Sequence, residues 1–192
     1  MSELGLTPSQ TVGPFFSDAL LREPHNVLVG PDTQGERIRI EGRVIDGDGV
    51  PISDALVEIW QANAHGRYHH PRDQGETPLT PAFRGFGRSG TDAEGRFWFE
   101  TIKPGAVRFD GERWQAPHLS ITVFARGLLN HLATRLYFDD HEAANDADPV
   151  LSLVPPERRG TLLAHRELTD GGVVYLFDLV LQGEAETVFF NL

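Results

Sequence analysis

The chain contains no cysteine among its 192 residues, and its acidic residues outnumber its basic ones. Without cysteine it cannot build a disulfide scaffold, a thiolate–zinc site or a cysteine nucleophile. Its 17 lysines and arginines against 28 aspartates and glutamates give a net charge of −11 with histidine neutral. Nucleic acids and anionic membranes present phosphates, which proteins meet with a basic surface. We therefore expect neither nucleic acid nor membrane as a partner.

The sequence also lacks a long apolar run and a recognisable export signal. Its most apolar stretch, Val173 to Leu181, contains Asp178 and is far shorter than the roughly 20 residues that cross a bilayer. Residues 1–16 show no basic segment followed by an apolar one, as a secretory signal would require. We expect a cytoplasmic protein.

Short runs of β-forming residues, closed by glycine, proline or aspartate, predict about six strands. They span residues 37–45, 55–60, 96–102, 118–124, 134–138 and 173–181. The turn at 46–49 predicts a hairpin, or a longer connection, between the first two strands as neighbours. Helical signals are few, and Pro155 and Pro156 open one short helix. We predict a mainly β fold, a single-domain antiparallel β-sandwich over residues 1–192 with long loops and at most one or two short helices.

The segment from Arg67 to Phe86 is a long loop, and such loops are often functional. His65, His69 and His70 lie in or beside it, where glycine and proline prevent the helix that would align histidines for a metal. We favour a solvated loop for these histidines. Tyr68, which lies among them, is the more promising functional residue.

His118 begins a strand in which side chains alternate between two faces. His118, Ser120 and Thr122 share one face, polar enough to line a pocket, while the residues between them are apolar. One histidine with a serine and a threonine does not complete a metal shell. Taken alone, His118 is better explained as a hydrogen-bonded structural histidine.

Arg126 follows the end of this strand, beside the loops at one end of the sheet. A guanidinium there suits a planar carboxylate, which it can bind with two hydrogen bonds. An ordinary surface ion pair is an equally good explanation at this point.

Several stretches in a fixed order resemble the intradiol ring-cleaving dioxygenases. They are residues 7–14, 42–46, 57–62, 66–68, 86–88, 101–105, 116–118, 136–138 and 177–178. No single stretch is specific, but their order and spacing together are, and they extend from about residue 7 to the C-terminus. The family fold is a β-sandwich, in agreement with the strand pattern.

The resemblance implies a broken metal site. Some members of the family combine two homologous chain types, α and β, and the β-type chain holds Fe(III) through two tyrosines and two histidines. The matching positions here are Tyr68, Val107, His118 and Ser120, so two of the four ligands are replaced. An arginine that usually precedes the histidines is matched by Gln115. The resemblance therefore implies an α-type chain without a metal of its own, in which Tyr68 and His118 are remnants of a ligand set.

The resemblance also implies a role beside a partner's active site. Residues 122–127 and 183–190 are similar to α-type segments, and α chains complete the site of the iron-bearing β subunit. Thr11, Gly13, Pro14 and Arg126 match the substrate-binding positions, and residues 1–35 would form an extended arm that contributes to the pocket and to subunit contacts. No residue of this chain is expected to catalyse alone. The implied higher-order αβ complex cleaves 3,4-dihydroxybenzoate with O2.

Two alternatives remain open. One is a stand-alone intradiol dioxygenase with an unusual iron shell, which needs two replacement ligands that the sequence does not supply. The other is a β-sandwich binding module that kept the fold and lost the chemistry. The set Thr11, Gly13, Pro14 and Arg126 argues against a pure binding module, which has no reason to keep all four.

Overall fold

The computed structural model describes residues 10, 11, 13, 19–21, 25–73, 75–76, 79 and 83–191. Eleven strands are assigned within them. They are β1 Arg37–Ile45, β2 Leu56–Gln61, β3 Phe86–Gly90, β4 Arg96–Ile102, β5 Val107–Asp110, β6 Arg113–Gln115, β7 His118–Phe124, β8 Leu132–Phe138, β9 Leu163–Thr169, β10 Gly172–Leu176 and β11 Leu179–Val180. The mainly β prediction is confirmed.

The strands form two layers that face each other across one core. One layer runs β3-β2-β7-β8, and the other contains β9, β10, β1 and β4, with β11 continuing beside β1. A short parallel contact between β8 and β9 joins the layers. Buried side chains from both layers belong to one hydrophobic cluster, which includes Ile40 of β1, Ile59 of β2, Phe99 of β4 and Ile121 of β7. Most strand pairs are antiparallel, but β1 is parallel to β10 and β11.

The predicted hairpin between the first two strands is wrong. The turn forms, and its amide groups bond to Asp46 Oδ1, but only one isolated bridge, Ile45 with Pro51, follows it. β1 then pairs with β4 and β10 in one layer, while β2 pairs with β3 and β7 in the other. The apolar faces of β1 and β2 are buried against each other across the core, so the turn passes between the layers.

The predicted strand over 173–181 is two strands. Phe177 and Asp178 interrupt it, and the Arg43 backbone N–H donates to Asp178 Oδ1 at 2.9 Å. The Asp178 carboxylate takes the place of a backbone carbonyl as the acceptor for this N–H of β1. The backbone pairing with β1 is therefore interrupted between β10 and β11.

Helical structure is confined to short turns among the described residues. The segment after Pro155 forms the 3-10 helix Pro156–Leu162, close to where the prolines predict a helix. The 3-10 turn Asp139–His141 leads into the α-helix Glu142–Asp146, and a further 3-10 turn covers Leu151–Leu153. No helix in the described ranges is long and apolar enough to cross a membrane.

Residues 25–28 link the open edges of the two layers. His25 bridges Arg88 of β3, and Val27 bridges Glu100 of β4. The Leu28 side chain lies against Gly87, where a Cβ would come within 2.6 Å of it. This segment therefore closes one side of the sandwich.

Candidate functional site

Tyr68 and His118 face each other, 50 residues apart in the chain. The Tyr68 hydroxyl lies 3.4 Å from His118 Nε2. Tyr68 is half-buried, and His118 is 2% exposed at the start of β7. The structure therefore brings together the two candidate residues that the sequence matched to iron ligands. We call their surroundings the tyrosine–histidine site, formed by Tyr68, Val107, Gln115, His118, Ser120, Arg135 and Tyr137.

A tight loop and an aromatic stack hold Tyr68. Its backbone N–H donates to Asp73 Oδ2 at 2.7 Å, and its ring stacks on Trp60 of β2 with centroids 5.7 Å apart. The preceding turn has Gly66 at φ +76°, where a Cβ would lie 1.8 Å from the Ala106 carbonyl oxygen. The loop that presents Tyr68 is thus packed directly against the chain that leads into β5.

His118 is fixed from its other side. Its Nδ1 donates to the Ala116 carbonyl at 2.7 Å, which leaves Nε2 as the acceptor facing the Tyr68 hydroxyl. The Ala116 N–H in turn donates to the buried Asp148 at 2.7 Å. Asp148 also accepts from the Tyr137 hydroxyl at 3.2 Å. One buried carboxylate therefore holds the backbone that orients the histidine.

Burial keeps both members of the pair neutral. Burial, together with the charge of Arg135, lowers the pKa of His118 to about 4. Burial raises the pKa of Tyr68, and the Arg135 charge offsets part of that rise. At neutral pH the contact is a hydroxyl donating to an imidazole, without a net charge of its own.

The other matched positions lie beside this pair. Val107 on β5 is directly opposite Gln115 on β6, and both side chains are buried. Ser120 follows His118 by two residues on β7 and lies on the same face. Neither an apolar valine nor a neutral serine replaces a phenolate or an imidazole as a ligand.

Arg135 of β8 extends among these positions. It is paired with Ser120 across the two strands. Its Nη1 donates to Gln115 Oε1 at 2.7 Å and to the Tyr137 hydroxyl at 3.2 Å. Sequence reasoning missed Arg135 and Asp148. The alternation of β8 places residue 135 on one face with residue 137, but only the strand register shows that this face adjoins Ser120 and His118.

These residues do not fit a resident metal ion. Of the four matched positions, only Tyr68 and His118 keep a side chain that ligates well, and a guanidinium lies beside them. Within the described ranges, no group of three or more histidine, cysteine, aspartate or glutamate side chains could hold an ion. His65, His69 and His70 are exposed, as expected for a solvated loop.

Arg126 lies on a different part of the surface. Its side chain is 66% exposed, and its Nε is 2.8 Å from Asp54 Oδ2. The surface ion pair considered from the sequence is therefore present. Beside it, a cleft of about 240 Å³ is lined by Gln10, Ala125 and the segment from Leu128 to His131, with Phe124.

Of the N-terminal candidate residues, Thr11 lies in the region of Arg126. Since Gln10 and Ala125 line one cleft, their chain neighbours Thr11 and Arg126 lie in the same region. Thr11 is exposed, and Gly13 has φ +72° in open space, where a Cβ would meet no atom within 4 Å. Pro14 lies outside the described residues.

The Arg126 surface and the tyrosine–histidine site are separate. His118 begins β7, and Arg126 follows its other end, so about 20 Å of strand lies between them. A groove of about 1030 Å³ is a third region, between β1, β3 and β4. Of the sequence-predicted site residues that the structure describes, none lines it. Its Arg43 is paired with Asp178, and its Arg39 is paired with Glu41 and Glu100.

Comparison with known proteins agrees with the fold. A family model described as "Dioxygenase" matches residues 12–183. The protocatechuate 3,4-dioxygenase alpha chain of Burkholderia cepacia is 45% identical over the whole of both chains, and that of Pseudomonas putida is 44% identical over 96% of each. The beta chain of the Burkholderia cepacia enzyme is 40% identical over 84% of this chain and 71% of its own length.

A solved structure shows the same architecture. The 3-chlorocatechol 1,2-dioxygenase of Rhodococcus opacus 1CP superposes with a TM-score of 0.63 at 23% identity, over 91% of this chain and 71% of its own. The family match covers most of the chain, and relatives well above 30% identity span it from end to end. The chain therefore belongs to the intradiol dioxygenase family, whose members use non-haem iron.

Proposed function

We propose that this chain is the α-type subunit of a cytoplasmic protocatechuate 3,4-dioxygenase, a higher-order αβ oligomer. It pairs with a homologous β subunit that holds the Fe(III), and it holds no iron itself. The complex adds both atoms of O2 to 3,4-dihydroxybenzoate, breaks the bond between the two hydroxyl-bearing carbons and gives 3-carboxy-cis,cis-muconate. This step belongs to aromatic catabolism through the β-ketoadipate pathway.

The incomplete donor set beside a full-length match to α chains supports this proposal most directly. The identity to α chains extends over the whole length, whereas the match to a β chain leaves part of both proteins unaligned. Tyr68 and His118 face each other without the two further ligands, because Val107 and Ser120 stand in those positions. A chain of this family with only half of a ligand set needs a partner for the chemistry.

In the proposed complex, Arg126 binds the substrate carboxylate. Asp54 holds the guanidinium through Nε. The two terminal nitrogens, which make no hydrogen bond within the described part of the chain, present a planar, two-nitrogen edge. That edge matches a benzoate carboxylate with two parallel hydrogen bonds. Thr11, which follows Gln10 of the adjoining cleft, would form the wall beside it together with Gly13 and Pro14.

The test replaces Arg126 in the assembled αβ enzyme. Arg126→Gln removes one charged hydrogen-bonding group from the substrate, so we expect KM to rise on the order of 10- to 100-fold, equivalent to about 1.5–3 kcal/mol. Arg126→Lys keeps the charge without the planar edge, so its KM should lie between those of wild type and Arg126→Gln. Arg113, an exposed arginine paired with Asp110 on the β5–β6 hairpin, supplies the matched control Arg113→Gln. Unchanged KM and kcat in Arg126→Gln would exclude this role.

Iron analysis of the chain purified alone separates the proposal from a stand-alone enzyme. We expect folded protein with close to no iron and no visible absorption from tyrosinate bound to Fe(III). About one iron per chain with a red colour would instead identify an enzyme with a different ligand set. Adding the β chain then distinguishes a subunit from a binding module, because only a subunit supports dioxygenase activity in the mixture.

A further inference from the structure

The connection between β7 and β8 carries an apolar side chain directly beside Arg126. It continues over residues 127–131, which we call the 127–131 turn. The Leu128 N–H donates to the Ala125 carbonyl at 3.2 Å, and the Leu128 side chain packs against the main core. The next side chain, Leu129, is 65% exposed. One leucine therefore anchors the turn, while its neighbour is open to solvent.

An uncharged cleft runs along the same turn. Its volume is about 240 Å³, and its lining residues are Gln10, Phe124, Ala125, Leu128, Leu129, Asn130 and His131. The rings of Phe124 and His131 are in contact, with centroids 5.7 Å apart. Among these described lining residues none is aspartate, glutamate, lysine or arginine, although 23% of the chain is charged. Depletion of charge beside exposed apolar side chains is typical of the buried centre of a protein interface.

The identity of the partner rests on the proposed function, in which Arg126 binds the substrate carboxylate while the substrate hydroxyls reach the β subunit's iron. One benzene ring separates these groups in 3,4-dihydroxybenzoate, so the β subunit must approach Arg126 to within the length of one small molecule. A stable interface covers about 800 Å² on each partner, a patch on the order of 30 Å across. The 127–131 turn ends at most about 18 Å along the chain from Arg126. A patch centred near Arg126 therefore extends over the turn.

We infer that the 127–131 turn is a docking site for the β subunit, which buries Leu129 and places one large apolar side chain in the adjoining cleft. Arg126 and Asp54, whose side chains are 66% and 34% exposed, then lie at the polar rim of this contact. A second copy of the chain fits the surface less well, because it brings no iron to Arg126.

The first experiment removes the exposed leucine. Leu129→Ser changes a side chain that is mostly in water, so the variant should unfold in urea as wild type does. We expect its Kd for the iron-loaded β chain, measured by calorimetry, to be at least about tenfold higher than that of wild type, because loss of a buried anchor weakens association. Leu168→Ser is the matched control, since Leu168 is 75% exposed on β9 in the other layer. Its Kd should equal that of wild type.

Hydrogen exchange tests the same contact without a substitution. The amide groups of residues 128–131 are followed in the chain alone and in the complex with the iron-loaded β chain. Burial under the partner should slow their exchange at least about tenfold. Exchange at 128–131 that is equally fast in the complex overturns the docking site.

The remaining outcomes separate this contact from the proposed function. An unchanged Kd for Leu129→Ser, with a raised KM for Arg126→Gln, overturns the docking site and leaves the substrate role of Arg126 intact. A wild-type chain that does not bind the β chain overturns both. If gel filtration shows that the chain alone forms a dimer that Leu129→Ser dissociates, the surface joins two copies of this chain, which also overturns docking of the β subunit.

Discussion

At the scale of single residues, His118 is the clearest example of a side chain whose chemistry is set by its surroundings. A histidine at the start of an alternating strand looks like an ordinary structural residue from sequence. In the fold it is buried, bonded through Nδ1 to Ala116 and faced by Tyr68. It therefore stays neutral between about pH 6.5 and pH 4, a range in which an exposed histidine binds a proton.

This depressed pKa makes stability depend on pH. The unfolded chain binds a proton at His118 below about pH 6.5, while the folded chain resists it until about pH 4. The contribution of neutral His118 to the free energy of unfolding is fully present above pH 6.5 and is lost as pH falls towards 4. At pH 4.5 the loss is about 2–3 kcal/mol. Urea unfolding at pH 7.5 and 4.5 measures it. The loss in wild type should exceed that in His118→Gln, and identical losses would contradict the prediction.

Arg135 shows what a single sequence hides at this scale. Tyr68 and His118 can be found from sequence because the residues around each match family elements. Arg135 matches none of these ligand positions, and its importance depends on the register that pairs it with Ser120. Register between distant strands is fixed by packing of the whole sheet, so local pattern does not contain it.

At the scale of elements, regular alternation was the reliable signal. The bounds of β1, β4 and β7 follow directly from it, because each strand buries every second side chain in one core. β3 contains two glycines, and β9 has a single buried residue in seven. Neither shows an apolar stripe, so both were missed. The hairpin error has a related cause, since a turn sequence specifies the reversal but not which layer the next strand joins.

The loop that presents Tyr68 depends on close backbone contact at Gly66. Gly66→Ala adds both left-handed strain, about 1–2 kcal/mol, and a clash with the Ala106 carbonyl. We expect a loss of more than about 3 kcal/mol of unfolding free energy. Gly49 has nearly the same φ, +79°, with nothing within 4 Å of a Cβ, so Gly49→Ala reports the strain alone. Equal losses in the two variants by urea unfolding would show that the contact at Gly66 is unimportant.

At the scale of the whole molecule, one strand connects two regions to which we assign different roles. β7 starts at the tyrosine–histidine site, where Val107 and Ser120 stand in place of two of the family's ligands. It ends next to Arg126, beside the cleft that Gln10 also lines. In the proposed complex, the chain binds substrate through the Arg126 surface. Substitutions at the tyrosine–histidine site therefore do not weaken substrate binding. The predicted substrate-binding set Thr11, Gly13, Pro14 and Arg126 belongs to this second end in the proposed complex.

Removing the N-terminal segment tests that division of roles. Deleting residues 1–14 takes away the proposed wall residues, while the described core clusters contain no residue before Leu28. We therefore expect the urea midpoint of the chain to change little, and gel filtration with the β subunit selects the intact complex on which KM is then measured. The KM of the assembled enzyme for 3,4-dihydroxybenzoate should rise about tenfold or more, equivalent to about 1.4 kcal/mol.

A shorter deletion supplies the control for this experiment. Removing only residues 1–9 keeps Thr11, Gly13 and Pro14, so the assembled enzyme should retain a KM close to that of wild type. An equal rise in both deletions would assign the effect to residues before Gln10 and contradict the proposed wall. If deletion of residues 1–14 leaves KM unchanged in a complex that gel filtration shows to be intact, Arg126 would be the one proposed substrate-binding residue that remains on this surface. That result would remove the N-terminal segment from the substrate pocket, because a wall that touches bound substrate cannot be lost without weakening its binding.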